Sequence, residues 1–125
     1  MKFAIQTFGC QMNVADSERM GRLLESAGHV RTEDFADAEI LLLNTCTVRD
    51  NADQRAYGRI GQFKQLKDEG SLKILGVCGC LAQSDGRRLI ERSPHVDFVV
   101  GTRSFHRIPE LVERISRGDT HHVDT

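Results

Sequence analysis

The segment EILLLNT, residues 39–45, is apolar at almost every position. A strand with this pattern is buried on both faces, which is typical of a parallel sheet covered by helices. Apolar runs and helical spacing elsewhere predict three more strands and four helices. The predicted strands are residues 2–8, 39–45, 72–78 and 96–100, and the predicted helices are residues 13–27, 49–69, 82–92 and 104–117. Asn13 or Asp16 is a candidate cap for the first helix.

This alternation of strands and helices predicts an α/β fold in three layers. Parallel strands joined by right-handed crossovers give a sheet of about four strands with helices on both faces, in a flavodoxin-like or Rossmann-like arrangement. By analogy with small doubly wound domains, we expect these four strands in the order 2-1-3-4. A chain of 125 residues suits one core, so residues 1–118 are predicted to form a single domain. Residues 119–125 lack periodicity and are expected to lie outside the core, as the start of a linker.

The charge and the cysteine content restrict the possible environments. Seventeen Lys and Arg against eighteen Asp and Glu give no bulk attraction to nucleic acid or to a membrane, so any RNA contact must be local or made elsewhere. The segment MKFAIQTFGC ends in a polar motif and no long apolar run follows it, which predicts a cytoplasmic protein without a membrane partner. Four cysteines in that compartment favour metal binding or catalysis over disulfides.

Three of the cysteines, Cys10, Cys46 and Cys80, each follow a predicted strand directly. The carboxyl ends of parallel strands lie at one edge of the sheet, so these thiols are expected to meet in one crevice. Helix N-termini at that edge favour thiolates. Soft sulfur ligands select iron–sulfur clusters, zinc or copper(I), and a 4Fe–4S cluster with three protein ligands keeps one iron open. Spacing alone does not decide among these metals.

Other residues compete for a place in such a site. Cys78 ends the apolar run ILGVC and reads as a small buried residue, although an extended chain would point it to the same side as Cys80. His29, His95 and His106 lie far from the cysteine motifs, which weakens a Cys3His zinc site without excluding it. The first strand–helix turn, TFGCQMN, lacks the glycine-rich loop of a nucleotide-binding domain.

The last third of the chain is rich in arginine and is a candidate for a phosphate-binding patch. Its basic residues alternate with acidic ones, which instead favours a mixed, solvated surface. The arginines concerned are Arg87, Arg88, Arg92, Arg103, Arg107, Arg114 and Arg117.

The segments around the three cysteines resemble the methylthiotransferase family. They read TFGCQMNVADSE at 7–18, LLLNTCTVRDNA at 41–52 and GVCGCLAQ at 76–83, and as an ordered set they span nearly the whole chain. The resemblance implies an N-terminal α/β domain whose Cys10, Cys46 and Cys80 hold an auxiliary 4Fe–4S cluster, with Cys78 outside the pattern. It also implies two partner domains in the same protein, a radical S-adenosylmethionine barrel and a small RNA-binding domain.

The wording of the first motif points to one branch of that family. The form CQMN followed by Asp16 is similar to the branch that converts N6-isopentenyladenosine-type nucleosides in tRNA to 2-methylthio derivatives. Sister branches that act on threonylcarbamoyladenosine in tRNA or on a ribosomal protein are alternatives, as is a non-catalytic zinc-binding α/β module. The resemblance also makes Asn13, Asn44 and Arg49 candidate contacts of the cluster sulfides or the substrate.

The chain lacks a CxxxCxxC loop, the ligand set of the second 4Fe–4S cluster that cleaves S-adenosylmethionine in this family. The resemblance therefore implies an enzyme only as part of a longer protein, with tRNA as its substrate. No catalytic residue is expected in this chain alone. Residues 119–125 would begin the linker to the radical domain.

Overall fold

Strand β3, Ile40–Thr45, and strand β4, Ile74–Gly79, are buried at every position. They lie at the centre of one sheet in the protein's structure, a computed structural model that describes residues 1–8, 11–45 and 52–125. Within those residues the sheet has six strands, all parallel, in the order β2-β1-β3-β4-β5-β6. The other strands are β1 (Lys2–Thr7), β2 (Val30–Arg31), β5 (Phe98–Val100) and β6 (His122–Asp124).

Five α-helices accompany the sheet in the described parts of the chain. They are α1 (Gln11–Ser26), α2 (Ala52–Glu69), α3 (Cys80–Asp85), α4 (Arg87–Arg92) and α5 (Ile108–Ser116), with 3₁₀ turns at Phe35–Asp37 and Phe105–Arg107. Helix α1 begins earlier than predicted, so Asn13 lies inside its first turn rather than at its cap. The helix predicted at 82–92 is two helices, separated at Gly86. Residues 49–51 of the second predicted helix lie outside the described residues.

Two apolar clusters cover the two faces of the sheet. In β3 the side chains of Leu41 and Leu43 join a cluster with α2, α3 and α4, whereas Ile40 and Leu42 join a cluster with α1 and α5. Successive residues of a strand point to opposite faces, so a fully apolar strand requires both layers. The predicted three-layer α/β fold is confirmed. None of the helices in the described residues combines the length and the apolarity needed to span a membrane.

The predicted strand order 2-1-3-4 is wrong. It placed residues 2–8 between the strands at 39–45 and 72–78, whereas β3 lies between β1 and β4. The short strand β2, absent from the prediction, pairs with the other side of β1. When β2 is counted, the first five strands do follow the order 2-1-3-4-5.

The end of the chain takes part in the sheet, contrary to expectation. Strand β6 pairs with β5, and Val123 packs against one of the apolar clusters. The Asp124 carboxylate accepts a hydrogen bond from the Arg107 guanidinium, and the Gly101 amide donates to the Asp124 carbonyl at 2.8 Å. The expectation that this tail lies outside the core is therefore wrong for residues 122–124. The beginning of a linker at residue 119 stays a prediction.

Candidate metal centre at the carboxyl edge of the sheet

Strands β1, β3 and β4 lie side by side, and each leads into one of the three candidate ligands. Cys46 follows Thr45, the last residue of the middle strand, and Cys80 follows Gly79 at the end of β4. Cys10 comes soon after β1. Cys80 is described, partly exposed and the first residue of α3, whereas Cys10 and Cys46 lie outside the described residues. The sheet therefore brings the three chain segments to adjacent positions at one edge.

The Asn13 side chain links the segments that lead into the first two cysteines. Its amide nitrogen donates to the Phe8 carbonyl at 2.6 Å and to the Thr45 carbonyl at 3.0 Å, and the residue is only 7% exposed. Phe8 stands two residues before Cys10, and Thr45 directly before Cys46. A side-chain amide has two hydrogens to donate, and both are used here. Asn13 thus fixes the spacing between the ends of β1 and β3.

Asn44 ties the same strand end to helix α1. Its amide nitrogen donates to the Asn13 carbonyl at 2.7 Å and to the Ser17 hydroxyl at 3.0 Å. The Ser17 hydroxyl also lies 2.7 Å from that of Thr7, at the end of β1. Asn44 is 1% exposed, and a polar group buried this deeply is stable only when its hydrogen bonds are made.

Thr45 connects β3 to the turn that carries Cys80. Its hydroxyl donates to the Cys78 carbonyl at 2.6 Å and accepts from the Leu81 amide at 3.2 Å. Gly79, the residue between Cys78 and Cys80, has φ 96°, and a Cβ on it would stand 2.5 Å from the Thr45 carbonyl oxygen. Only glycine fits this conformation and this close approach. We call Thr7, Asn13, Ser17, Asn44 and Thr45 the edge network.

Two of the three residues predicted to contact a cluster belong to the edge network. Asn13 and Asn44 lie at the expected edge, but their amide hydrogens bind the chain itself, which leaves none for a sulfide in this arrangement. Arg49 is outside the described residues. Sequence reasoning did not identify Ser17 or Thr45 as part of the site. The available signal was the polar pair at 44–45, at the end of an otherwise apolar strand.

Cys78 lies in a different environment from Cys80. It is fully buried in the apolar cluster under α1 and α5, together with Leu42 and Phe105. Burial raises the pKa of the Cys78 thiol to about 12, because a thiolate is poorly solvated in an apolar interior. The structure therefore separates Cys78, a core residue, from Cys80 at the accessible edge.

Two of the histidines considered for a zinc site lie at the opposite edge of the sheet. His29 comes directly before β2, and its Nδ1 lies 3.2 Å from the N-terminal amine. His95 comes before β5, and its Nε2 lies 2.6 Å from the Ile60 carbonyl oxygen. His106 is exposed, in the 3₁₀ turn before α5.

Within the described ranges, no three His, Cys, Asp or Glu side chains form a metal-binding group. Cys10 and Cys46 fall outside those ranges. The three-cysteine site therefore stays a prediction.

Comparison with known proteins agrees with the cysteine motifs. Uncharacterized protein family UPF0004 matches residues 2–101, four fifths of the chain. Similar curated proteins include one from Sulfurihydrogenibium sp. (strain YO3AOP1), 44% identical over 95% of this chain, and one from Sphingopyxis alaskensis, 45% identical over 94%. A protein from Geobacter sulfurreducens is 44% identical over 92%. All three are named tRNA-2-methylthio-N(6)-dimethylallyladenosine synthase.

The match concerns only part of each relative. The chain spans 27%, 26% and 26% of the lengths of these three proteins. It therefore corresponds to about a quarter of a longer polypeptide in each of these relatives. Together, the family match and the shared name of the relatives show that the chain belongs to the UPF0004 family and confirm its resemblance to the methylthiotransferases.

Proposed function

We propose that this chain is the cluster-binding N-terminal domain of a tRNA methylthiotransferase that forms the 2-methylthio derivative of N6-isopentenyladenosine in tRNA. One observation carries the proposal. The edge network holds three adjacent strand ends together, and each of these strands leads into one cysteine. The names of the relatives support this branch over the sister branches that act on other substrates.

The donor chemistry of the edge suits an iron–sulfur cluster. Cys10, Cys46 and Cys80 would hold an auxiliary 4Fe–4S cluster, because thiolates are the ligands that such clusters prefer. When bound, this group supplies one iron without a protein ligand, which is free to bind a sulfur-containing group. The chain's own contribution is to fix the spacing of the ligand segments through Asn13 and Thr45 and to keep Cys78 out of the site.

The rest of the reaction belongs to other parts of a longer protein. We propose that a radical domain with a second 4Fe–4S cluster binds S-adenosylmethionine, that an RNA-binding domain accompanies it, and that residues 119–125 begin the linker to them. This chain covers only about a quarter of the length of its relatives, which supports this division. We place the protein in the cytoplasm, with tRNA as its substrate and no membrane partner.

Anaerobic reconstitution with iron and sulfide tests the metal site. We expect about four iron and four sulfide per chain and the visible absorption of a 4Fe–4S cluster. Cys80→Ala should lose most of the iron, because it removes a ligand at the accessible edge. Cys78→Ala is the matched control and should reconstitute as the wild type does, because its sulfur is buried in the apolar cluster.

Two results would contradict the proposal. Tight binding of one zinc without sulfide would favour a zinc-binding module. Loss of the cluster in Cys78→Ala with retention in Cys80→Ala would show that the ligand assignment is wrong.

A further inference from the structure

A groove opens between the end of β1 and helix α2, at the edge of the sheet where the strands that precede the candidate cysteines end. Its volume is about 330 Å³. The residues that line it are Gln6, Phe8, Arg55, Gly58, Arg59 and Gln62. Phe8 also takes part in the hydrogen bonds of the edge network, because its carbonyl accepts from the Asn13 amide. One residue of the groove, Phe8, therefore stands two positions before the candidate ligand Cys10 in the sequence.

Arg59 is held in a defined position in the groove. Its Nε donates to the Gln6 side-chain oxygen at 3.1 Å, and its Nη1 donates to that of Gln62 at 2.7 Å. The guanidinium carbon lies 4.9 Å from the centre of the Phe63 ring. All three partners are uncharged, so they orient the guanidinium without neutralising it.

Arg55 adds a second positive charge one helical turn away. Its side chain is exposed, and none of the carboxylates whose side chains the structure describes, a set that leaves out residues 46–54, forms a salt bridge with Arg55 or Arg59. Four of the seven arginines in the last third of the chain differ, because each has a carboxylate partner within 4.0 Å. These four are Arg88, Arg107, Arg114 and Arg117. Among the side chains that the structure describes, the groove on α2 therefore holds two arginines without a carboxylate partner, whereas the last third presents mainly a mixed surface.

The part of α2 from Arg55 to Arg59 has two features that do not favour a helix. Two arginines four residues apart repel each other, and glycine is among the least favourable residues inside a helix. Gly58 has no packing requirement, since a Cβ there would meet no atom within 4 Å. A local departure from helix preferences without a packing gain is expected at a functional surface. Here the glycine keeps the floor of the groove open between the two arginines.

We propose that this groove binds a single-stranded segment of the RNA substrate. Arg55 and Arg59 supply charge complementary to phosphate, and the partly exposed Phe8 ring supplies an apolar surface for a base. The amide side chains of Gln6 and Gln62 add groups that can form hydrogen bonds with base edges. The proposal rests on the proposed function, because it takes tRNA as the substrate. It adds the surface of this chain that binds the RNA.

Nuclear magnetic resonance titration of the full 125-residue chain, without cluster and with thiols reduced, tests the groove. The probe is a stem-loop RNA with adenosines in the loop, small enough to report weak binding. We expect shifts at the Gly58 amide and at the Arg55 and Arg59 Nε resonances. Inorganic phosphate at the same phosphate concentration should produce much smaller shifts. Equal shifts with phosphate would show a simple anion site and overturn the assignment to RNA.

Substitutions separate the groove from general electrostatic attraction. Replacing both groove arginines, Arg55→Gln with Arg59→Gln, should weaken RNA binding by roughly tenfold or more at low salt. It should also reduce the slope of log K against log salt by roughly 0.7 for each phosphate that the protein no longer neutralises. The matched control is Arg114→Gln with Arg117→Gln, which removes the same charge from α5 and its end and should change binding little. Equal reductions in affinity in the two double variants would overturn the proposal.

Gly58→Leu tests the shape of the groove without changing its charge. Leucine is a better helix residue than glycine, so the unfolding midpoint should stay the same or rise. Its side chain would fill the floor of the groove, so RNA binding should fall. If Gly58→Leu bound the RNA as tightly as the wild type, the proposal would be refuted. It would also be refuted if RNA shifted only resonances of another surface in the wild-type chain. Because the cluster-free chain is used, either failure would leave the cluster proposal intact.

Discussion

Asn13 illustrates at the scale of one residue how the candidate site is built. The sequence marks it as a possible helix cap or cluster contact, yet its amide joins the carbonyls of Phe8 and Thr45. The partner Thr45 is 32 positions away, so no local pattern reveals the contact. The cysteines themselves were easier to identify, because each follows a strand that its apolar pattern predicts. The candidate ligands are thus predicted from the sequence, whereas the hydrogen bonds between the strand ends that precede them depend on the folded sheet.

We predict that Asn13→Asp disturbs both the fold and the cluster. A carboxylate has no hydrogens to donate to the two carbonyls and would place a negative charge beside them. The expected decrease in the free energy of unfolding is about 1–3 kcal/mol, the usual penalty for unsatisfied buried groups. Urea unfolding of the cluster-free chain measures this decrease. Iron content and the electron paramagnetic resonance spectrum of the reduced, reconstituted chain measure the effect on the cluster.

Thr7→Val is the control for this substitution. It removes the hydroxyl contact between Thr7 and Ser17 in the edge network but leaves both carbonyl contacts of Asn13 in place. We expect Thr7→Val to be somewhat less stable and to keep the wild-type cluster spectrum. If Asn13→Asp kept both the iron content and the spectrum of the wild type, Asn13 would have no part in positioning the ligands.

At the scale of elements, the long apolar segments were predictable and the short edge strands were not. Strand β2 has two residues, both exposed, and is held by main-chain hydrogen bonds such as that from the Thr32 amide to the Phe3 carbonyl. Strand β6 is similarly short and is held by main-chain pairing with β5, by the packing of Val123 and by polar contacts around Asp124. Neither strand has an apolar run or a clear alternation that sequence analysis can detect. The wrong strand order has the same origin, because β2 was not counted.

We predict that acid releases β6 before it affects the rest of the sheet. The Arg107 guanidinium is the main cause of the lowered pKa of Asp124, and the Ser104 hydroxyl, which donates to the same carboxylate at 3.2 Å, lowers it further. Because the folded pKa lies below the unfolded value of about 3.9, this carboxylate stabilises the docked strand above that pH. The stabilisation is lost as the pH falls through the folded pKa.

Hydrogen exchange from about pH 7 to about pH 3, a range that extends below the unfolded pKa of about 3.9, measures the release. The Gly101 and His122 amides donate to carbonyls across β5 and β6, so their protection factors report the docking of β6. These factors should fall in acid while those of the central strand β3 persist. Asp124→Asn should lower the protection of β6 at neutral pH and reduce its dependence on acid. An unchanged acid profile in Asp124→Asn would show that this carboxylate does not control the docking of β6.

At the scale of the whole molecule, the core of the described residues consists of apolar side chains on both faces of the sheet. Two apolar clusters cover the sheet, one beneath α2, α3 and α4 and the other beneath α1 and α5. Each cluster contains buried side chains from β3 and β4, such as Leu41 and Leu75 in the first and Leu42 and Ile74 in the second. Burial of this apolar surface supplies the main driving force for folding. A zinc finger differs, because its small core leaves folding to the metal.

We therefore predict that the cluster-free chain folds cooperatively. Its far-ultraviolet circular dichroism should show mixed helix and strand, and urea should unfold it in one transition that cluster binding moves to higher concentration. Gly76→Ala provides a reference for true disruption of the core, because a Cβ there would overlap the Phe98 ring. That variant should unfold at much lower urea concentration, with or without iron. A disordered spectrum for the cluster-free wild type would show that metal binding, rather than the two apolar clusters, drives folding of this chain.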